Sequence, residues 1–282
     1  MKTILAAALA ALTLTGAGPG VSGALAADPP PFLREGRGEF EIVLIHGLGS
    51  NATVWAEVEP FLRGTFQVWS FELSGHGKTP PVERPSIAGE AARLQAFLDA
   101  QDIVYPTLVG HGVGGMIALR YALDNPARVH RLILLDTSAM PLSTPDQQVD
   151  TAAKLAADYD RTVALRYLNM SPSEDVTDRI VDDALRTDSA SFISLLMSTN
   201  TFDVTGELDG LSVPLLVVGS ELMFPEGVDS RHVLQHAGFG YARSLSFKRI
   251  ERSGHFTMLE RPVYLASVLL AFGVTAEHEF QH

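Results

Sequence analysis

The sequence predicts an α/β fold built on a mostly parallel sheet with helices on both faces. Short apolar runs alternate with helix-length segments along most of the chain. These runs are almost continuously apolar, which is typical of parallel strands covered on both sides. The length of 282 residues, of which 46% are apolar, is enough for one large domain with a packed core.

The first 26 residues have the pattern of a secretory signal peptide. Lys2 precedes an apolar run from Ile4 to Leu14, and Ala24-Leu25-Ala26 supplies the small residues that a signal peptidase accepts. The run is shorter than the roughly 20 residues that a membrane-spanning helix needs. We therefore expect a secreted or periplasmic protein without a stable membrane anchor.

Residues 27–39, which contain three consecutive prolines, are predicted as an extended lead-in, and the ordered domain should begin near Phe40. Six later runs are predicted strands: Glu41–His46, Phe66–Glu72, Thr107–Gly110, Leu132–Asp136, Leu215–Gly219 and Ser244–Ile250. Four segments between or after them are predicted helices: Ala88–Ala100, Val113–Asp124, Asp229–Gln235 and Val263–Phe272.

One stretch, residues 140–201, breaks this alternation. It contains no good strand, whereas Pro145–Leu168 and Asp175–Met197 have helical periodicity. A structureless loop of that length is uncommon inside a compact domain. We therefore predict a helical lid inserted into a core formed by residues 40–139 and 202–275.

Four segments with chemically useful residues follow predicted strands. They are Ile45-His46-Gly47-Leu48-Gly49, Glu72-Leu73-Ser74-Gly75-His76-Gly77, Gly110-His111-Gly112-Val113-Gly114 and Ser253-Gly254-His255-Phe256. In this order they resemble the α/β-hydrolase family, in the branch of small esterases, C–C bond hydrolases and haloalkane dehalogenases that carry a helical cap. The resemblance covers about residues 38–275 and implies a mostly parallel, eight-stranded sheet. Glu72 differs from it, because the family usually has Asp at that position.

The third segment has the glycines of the family's Gly-x-nucleophile-x-Gly turn. Its middle residue, where the family carries Ser, Asp or Cys, is Gly112, which has no side chain to attack with. No other Gly-x-Ser-x-Gly occurs in the sequence. Neighbouring residues at a sharp turn point in different directions, so His111 should not take the nucleophile's place.

The resemblance also assigns candidate partners for such a nucleophile. His255 matches the general base, whose neutral imidazole takes a proton. Glu221 is the favoured acid, on the assumption that the loop after Gly219 is one residue shorter here than in the family. Asp136, at the end of another predicted strand, is the alternative. The Leu48 and Val113 N–H groups would form the oxyanion hole.

Other residues near the strand ends are given structural or lining roles. His46 and His76 are expected to be structural. The predicted pocket is apolar, suits a small ester, lactone or acyl ligand, and is lined by Leu48, Val113, Met140, Leu222, Met223, Phe224 and Phe256.

Composition excludes several other classes. The chain has no cysteine, which removes disulfides, zinc–thiolate sites and a cysteine nucleophile. The net charge of −12 and the lack of a basic cluster argue against nucleic acid as a partner. The histidines form no helical metal-binding pair, and the glycines at 110–115 do not have the dinucleotide-binding order. We expect no metal and no cofactor.

Three functions fit these observations. The chain is a hydrolase of small apolar esters or lactones whose nucleophile position is altered or inactive, a non-catalytic protein that binds a small ligand, or a lyase or cofactor-free oxygenase that uses His255 as a base on its substrate. The retained His255 favours the first and third functions. Gly112 favours the second.

Overall fold

The computed structural model describes residues 32–141 and 143–274. The predicted signal peptide lies outside these residues, as does the first part of the lead-in. Within the described ranges, no helix is both long and apolar enough to cross a membrane.

The sheet has seven strands rather than the predicted eight in this part of the chain. They are β1 (Phe32–Glu35), β2 (Phe40–Ile45), β3 (Phe66–Phe71), β4 (Thr107–His111), β5 (Arg131–Leu135), β6 (Leu215–Ser220) and β7 (Leu245–Ile250). Their spatial order is β1-β3-β2-β4-β5-β6-β7. Every pair is parallel except β1–β3, which is antiparallel.

The ordered fold therefore begins before Phe40. The lead-in contributes β1, whose Leu33 pairs with Ser70 and whose Glu35 pairs with Val68 at one edge of the sheet. Strands β4, β5 and β6 are buried along their whole length, so both faces of the sheet centre are covered. The six predicted strands are all present, with ends shifted by one residue at most.

Ten α-helices surround the described sheet. They are α1 (Glu59–Leu62), α2 (Ile87–Ala100), α3 (Val113–Asp124), α4 (Pro145–Ala157), α5 (Tyr159–Tyr167), α6 (Glu174–Arg186), α7 (Ser189–Thr199), α8 (Ser230–His236), α9 (Thr257–Glu260) and α10 (Pro262–Val274). Helix α2 packs against α3, and α1 packs against α10.

Helices α4 to α7 all lie between β5 and β6, and we call this segment the helical insertion. Each of its two predicted helices is divided in two by an aspartate. The Asp158 side chain accepts a hydrogen bond from the Arg161 amide and starts α5, and Asp188 accepts one from the Ser191 amide and starts α7. Such N-caps satisfy amides that have no partner inside the helix, so each one begins a new helix.

Candidate active site

Gly112 occupies a sharp turn between β4 and α3. Its φ is 52° and its ψ is −117°, a backbone conformation that residues with a side chain rarely adopt. A Cβ placed there would lie 3.5 Å from His255 Nε2 and 4.0 Å from Gly47 Cα, which are ordinary van der Waals distances. The position therefore has room for a side chain, and that side chain would face His255.

Neighbouring glycines allow this turn to pack closely against β2. A Cβ on Gly114 would collide with the carbonyl oxygens of Ile45 and His46. The turn thus lies directly against the end of β2, where the Gly47-Leu48 segment begins. This close packing brings two of the four sequence motifs together.

His255 lies in the loop between β7 and α9, and its backbone is held on both sides. Its amide donates to the Met170 carbonyl over 2.7 Å, and its carbonyl oxygen lies 2.9 Å from His111 Nε2. The His255 side chain is 22% exposed, and its Nδ1 lies 3.2 Å from Asp136 Oδ2. One ring nitrogen thus faces the open position at Gly112, and the other faces a carboxylate.

Asp136 follows β5 and is buried, with a φ of 42°. Its Oδ1 accepts the Ser220 amide over 2.7 Å, and its Oδ2 accepts the Ser220 hydroxyl as well as facing His255. Three donors therefore surround the carboxylate. A carboxylate with this arrangement fixes the imidazole with its proton on Nδ1, which leaves the Nε2 lone pair directed towards Gly112.

The preference for Glu221 over Asp136 is wrong. Glu221 follows β6, but its carboxylate accepts the Arg252 amide over 2.6 Å at the protein surface. Asp136 is the carboxylate within hydrogen-bond distance of His255. The physical reason is that the positive φ of Asp136 turns its side chain across the end of β6, where the Ser220 donors hold it.

The Leu48 and Val113 residues both line the cavity at Gly112. The Gly47 carbonyl, at the other end of the peptide bond that carries the Leu48 N–H, accepts from His46 Nδ1 (2.8 Å) and from the Ser50 amide (3.2 Å). Val113 begins the 12-residue helix α3, whose dipole adds partial positive charge there. Among the described residues, neither amide has a hydrogen-bond acceptor, so both are available to a ligand oxygen.

The other histidines of the motifs are buried and neutral. Burial lowers the pKa of His46 to about 4 and that of His76 to about 3. Each also accepts a backbone amide on its Nε2, from Leu73 and Gly49 respectively. These bonds hold the loops after β2 and β3, which agrees with the predicted structural roles.

His111 is also buried, and burial together with the nearby His255 lowers its pKa well below the ordinary value. Because it is neutral and its Nε2 faces the His255 carbonyl, the proton is on Nε2. Its ring lies beside that of His255, with centroids 4.4 Å apart. His111 therefore supports the His255 loop and does not occupy the open position at Gly112.

Glu72 holds its own loop. Its carboxylate accepts the Lys78 amide over 2.7 Å and the Ala52 amide over 3.2 Å. Gly77, with a φ of 54°, passes so close that a Cβ would collide with the Glu72 carboxylate. The glycine turn at Gly77 thus leaves room for Glu72, whose side chain is longer than the Asp that the family usually has there.

These groups surround a cavity of about 190 Å³, which we call the Gly112 pocket. Of the predicted lining residues, Leu48, Val113, Met223 and Phe256 contribute to it. Met140, Leu222 and Phe224 do not; Phe224 instead packs on Phe247, with ring centroids 4.6 Å apart.

Sequence reasoning missed the part of the wall that comes from the helical insertion: Ser143, Arg166, Tyr167, Met170, Leu196 and Thr199. The Tyr167 hydroxyl donates to the Leu48 carbonyl over 2.6 Å, so the insertion contacts the loop after β2 directly. In residues 32–141 and 143–274, no group of three or more His, Asp or Glu side chains is arranged to hold a metal ion.

Comparison with known proteins matches this arrangement to a family. The model of the "Alpha/beta hydrolase family" matches residues 42–268, which is most of the chain. That range includes all four sequence motifs and the residues that line the Gly112 pocket.

Individual relatives are more distant. An uncharacterised protein of Mycobacterium tuberculosis is 35% identical over 149 residues, which are 52% of this chain, and the chain spans only 43% of that relative's length. The putative carbamate hydrolase RutD of Pseudomonas syringae is 26% identical over 82% of this chain and 92% of its own. The solved enol-lactonase of Burkholderia xenovorans superposes with a TM-score of 0.74 at 21% identity, covering 86% of this chain and 95% of its own.

Proposed function

The chain belongs to the alpha/beta hydrolase family, and from this premise we propose that it hydrolyses small apolar esters or lactones with water as the direct nucleophile. Gly112 stands where the family carries a nucleophilic side chain, so no acyl-enzyme forms. His255, oriented by Asp136, is the base that activates the water.

One observation carries this proposal. The position of a Cβ on Gly112 lies 3.5 Å from His255 Nε2, and Asp136 lies 3.2 Å from the other ring nitrogen. The acid and base of a triad are thus retained around an unfilled space. A water molecule at the edge of this space would be within hydrogen-bond distance of the base, as general-base catalysis requires.

The reaction proceeds in two steps. His255 Nε2 takes a proton from the water as its oxygen bonds to the ester carbon, and the carbonyl oxygen becomes an oxyanion that the Leu48 and Val113 amides stabilise. The tetrahedral intermediate then breaks its bond to the alkoxy oxygen, which takes the proton from His255. The products are the carboxylic acid and the alcohol, and no group on the protein is consumed.

This route is slower than covalent catalysis. Removing the nucleophile of subtilisin costs about 10⁶-fold in kcat, and the binding and oxyanion groups left behind give about 10³–10⁴-fold over water. We therefore expect weak turnover. The backbone accounts for why glycine suits this turn, because a side chain at such a φ costs about 1–3 kcal/mol.

The substrate class follows from the lining and from the relatives. The pocket wall combines apolar side chains such as Leu48, Val113 and Phe256 with the two amides, which suits an uncharged acyl group. The relatives' names describe a putative carbamate hydrolase and an enol-lactonase, which both act on acyl compounds. The helical insertion would serve as the lid, since α5 and α7 supply one side of the wall.

A second candidate is a non-catalytic protein that binds the same ligands. The missing side chain at Gly112 favours it, because the cavity and its amides do not depend on that side chain. The two candidates differ in whether the unmodified chain hydrolyses esters in a manner that depends on His255.

The test compares the unmodified chain with Gly112→Ser on p-nitrophenyl acetate. The unmodified chain should hydrolyse the ester slowly and without a burst, and His255→Ala should remove this activity. Gly112→Ser should raise kcat by about 100-fold or more and show a burst of p-nitrophenol from an acyl-enzyme. The free energy of unfolding of the same variant should be lower by about 1–3 kcal/mol, because a side chain strains the backbone at this φ.

Two results would overturn the proposal. If the unmodified chain binds the ester but shows no hydrolysis above His255→Ala, it is a binding protein. If a folded Gly112→Ser remains at background, the turn does not position a nucleophile.

The site of action is a further part of the proposal. Residues 1–26 support export, so the mature chain would start at Ala27 in the periplasm or outside the cell. N-terminal sequencing of the protein from a fractionated producing cell tests this, and an intact Met1 on a cytoplasmic protein would contradict it.

A further inference from the structure

The peptide bond between Leu48 and Gly49 is held at both ends. Its N–H, on Gly49, donates to His76 Nε2 over 3.1 Å. Its carbonyl, on Leu48, accepts the Tyr167 hydroxyl over 2.6 Å. His76 belongs to the loop after β3, and Tyr167 is the last residue of α5. The core therefore holds one end of this peptide, and the helical insertion holds the other.

The Tyr167 hydroxyl has no substitute in the part of the chain that the structure describes. There, the Leu48 carbonyl accepts no other hydrogen bond. Both Leu48 and Tyr167 are buried, and a buried carbonyl that loses its donor costs about 1–3 kcal/mol. Burial also raises the pKa of Tyr167, so its hydroxyl keeps its proton at neutral pH and remains a donor.

The insertion packs closely on the same peptide. Gly49 has a φ of 65°. A Cβ placed on it would collide with the Tyr167 hydroxyl and would lie 2.9 Å from the Ala184 Cβ and 3.0 Å from the Phe192 ring. These three residues belong to α5, α6 and α7 respectively. Three helices of the insertion therefore meet the loop after β2 at this glycine.

The orientation of this peptide affects the direction of the Leu48 amide. The Leu48 N–H belongs to the preceding peptide, and only two rotatable bonds at the Leu48 Cα join the two peptide planes. The preceding plane is held by the core, because its carbonyl on Gly47 accepts from His46 and from the Ser50 amide. Fixing both planes fixes the direction of the N–H, and Tyr167 is the part of this restraint that the insertion supplies.

The segment that carries Tyr167 also holds the base. The Met170 carbonyl accepts the His255 amide over 2.7 Å, and the Met170 amide donates to the Tyr167 carbonyl over 3.0 Å. One turn of the insertion is thus bonded to the Leu48 loop through the Tyr167 side chain and to the His255 loop through the Met170 backbone. The spacing between the amide and the base depends on this turn.

We propose that Tyr167 is a positioning residue, whose hydroxyl holds the Leu48–Gly49 peptide so that the Leu48 amide is directed at the oxyanion. The helical insertion is then part of the reacting arrangement as well as its cover, because the oxyanion hole has its full strength only while Tyr167 is in place. The inference rests on the proposed function for the reaction. It concerns the affinity of the site for a charged oxygen, which can be measured without turnover.

Ligand binding to the unmodified chain tests this inference. Methyl propylphosphonate has a tetrahedral centre with a charged oxygen, like the intermediate that water forms with methyl butanoate, whereas methyl propyl ketone has a neutral, planar carbonyl. Tyr167→Phe keeps the ring, whose centroid lies 6.4 Å from that of Phe192. In calorimetric titrations this variant should bind the phosphonate about tenfold more weakly and the ketone no more than about twofold more weakly. A misdirected donor loses most where the charge on the oxygen is greatest.

Tyr159→Phe is the matched control. Tyr159 is also on α5, and its ring packs edge-on against Phe192 with centroids 5.9 Å apart. Its hydroxyl has no hydrogen-bond partner within residues 32–141 and 143–274, and it does not line the Gly112 pocket. Removing this hydroxyl should leave both affinities unchanged. An equal loss in the two variants would overturn the proposal, as would phosphonate binding that is the same, or absent, in the unmodified chain and in Tyr167→Phe.

Kinetics in the Gly112→Ser background give a second measurement. Removing an oxyanion donor outright costs about 10²–10³-fold in kcat, and a displaced donor should cost less. Tyr167→Phe should therefore lower kcat on p-nitrophenyl acetate by about tenfold, with a burst of full amplitude that shows every site to be active. Tyr159→Phe should leave kcat unchanged. An unchanged kcat in Tyr167→Phe would contradict the positioning role.

The two proposals can fail separately. If Tyr167→Phe weakens phosphonate binding as expected but no ester is hydrolysed, the role of Tyr167 in an anion-binding site stands and the proposed function fails. If hydrolysis depends on His255 but phosphonate affinity does not depend on Tyr167, the proposed function stands and this inference fails.

Discussion

The ends of β5 and β6 are neighbours in the sheet, and each is followed by a carboxylate, yet the two carboxylates have different environments. Asp136, after β5, is buried and surrounded by three donors, including His255. Glu221, after β6, bonds to the Arg252 amide at the surface. What β6 contributes to the site is Ser220, whose amide and hydroxyl hold Asp136.

The difference shows that a position at a strand end does not define a catalytic acid. Parallel strands bring many side chains to one edge of the sheet, and the direction of each side chain decides which of them meet. At Asp136 a φ of 42° directs the carboxylate across the neighbouring strand end. The two strand ends together form one acid with its support, and the predictions below test this arrangement.

The largest expected effect is on turnover in the Gly112→Ser background. Asp136→Asn should lower kcat by about 10³–10⁴-fold, while Glu221→Gln should leave it within about twofold. Because Ser220 donates to the carboxylate, an Asn would accept there and turn its NH₂ towards His255 Nδ1. This forces the proton onto Nε2 and removes the base.

Steady-state kinetics on p-nitrophenyl acetate measures both variants, with circular dichroism as the check on folding. A large loss in Glu221→Gln together with a small one in Asp136→Asn would reverse the comparison. It would mean that the loop after β6 rearranges to supply the acid.

The same comparison explains what the sequence could predict. The strands and the positions of Gly112 and His255 follow from local patterns, namely continuous apolar runs and glycine motifs at their ends. The acid depends on a hydrogen bond between Asp136 and Ser220, which are 84 residues apart, and on a positive φ at a residue that is not glycine. Neither leaves a local signal, so counting residues from Gly219 selected Glu221.

Two other differences have similar causes. The sequence assigns β1 to the lead-in because Phe-Leu-Arg-Glu is short, half polar and preceded by prolines. Its pairing with β3 is what makes it a strand. The sequence does not assign Tyr167 to the pocket because helix periodicity does not tell which element a helix will face, and Met170 lies in the connection between α5 and α6, where no periodicity applies. The division of the insertion helices did have a signal, since Asp158 and Asp188 are good N-cap residues.

A smaller effect is expected on stability. Asp136 and Arg252, which follow β5 and β7, both have positive φ, 42° and 55°. Glycine relieves such a conformation by about 1–2 kcal/mol but loses about 0.5–1 kcal/mol in chain entropy. Arg252→Gly should therefore change the free energy of unfolding by about 1 kcal/mol or less, towards greater stability.

Asp136→Gly should instead lower the free energy of unfolding by about 2–6 kcal/mol, because the two Ser220 hydrogen bonds to the carboxylate contribute about 1.5–3 kcal/mol each and outweigh the relief of strain. Urea unfolding at neutral pH measures both variants. Equal stabilisation by the two glycines would show that the Asp136 carboxylate adds nothing to the fold, and would leave its role as the His255 partner without structural support.

The smallest expected effect concerns Ser220, a positioning residue that acts through Asp136. In Gly112→Ser, Ser220→Ala removes one of the three donors and leaves the amide bond to Oδ1. The carboxylate should become less well fixed, so kcat should fall about tenfold, equivalent to about 1.4 kcal/mol, with KM unchanged. Ser246→Ala, on the neighbouring strand β7 and away from Asp136, is the matched control and should leave both constants unchanged. A purely structural role would lower the amount of active enzyme, seen as a smaller burst amplitude, and leave kcat per active site unchanged. An unchanged kcat with a full burst in Ser220→Ala would mean that β6 contributes only its backbone amide to the acid.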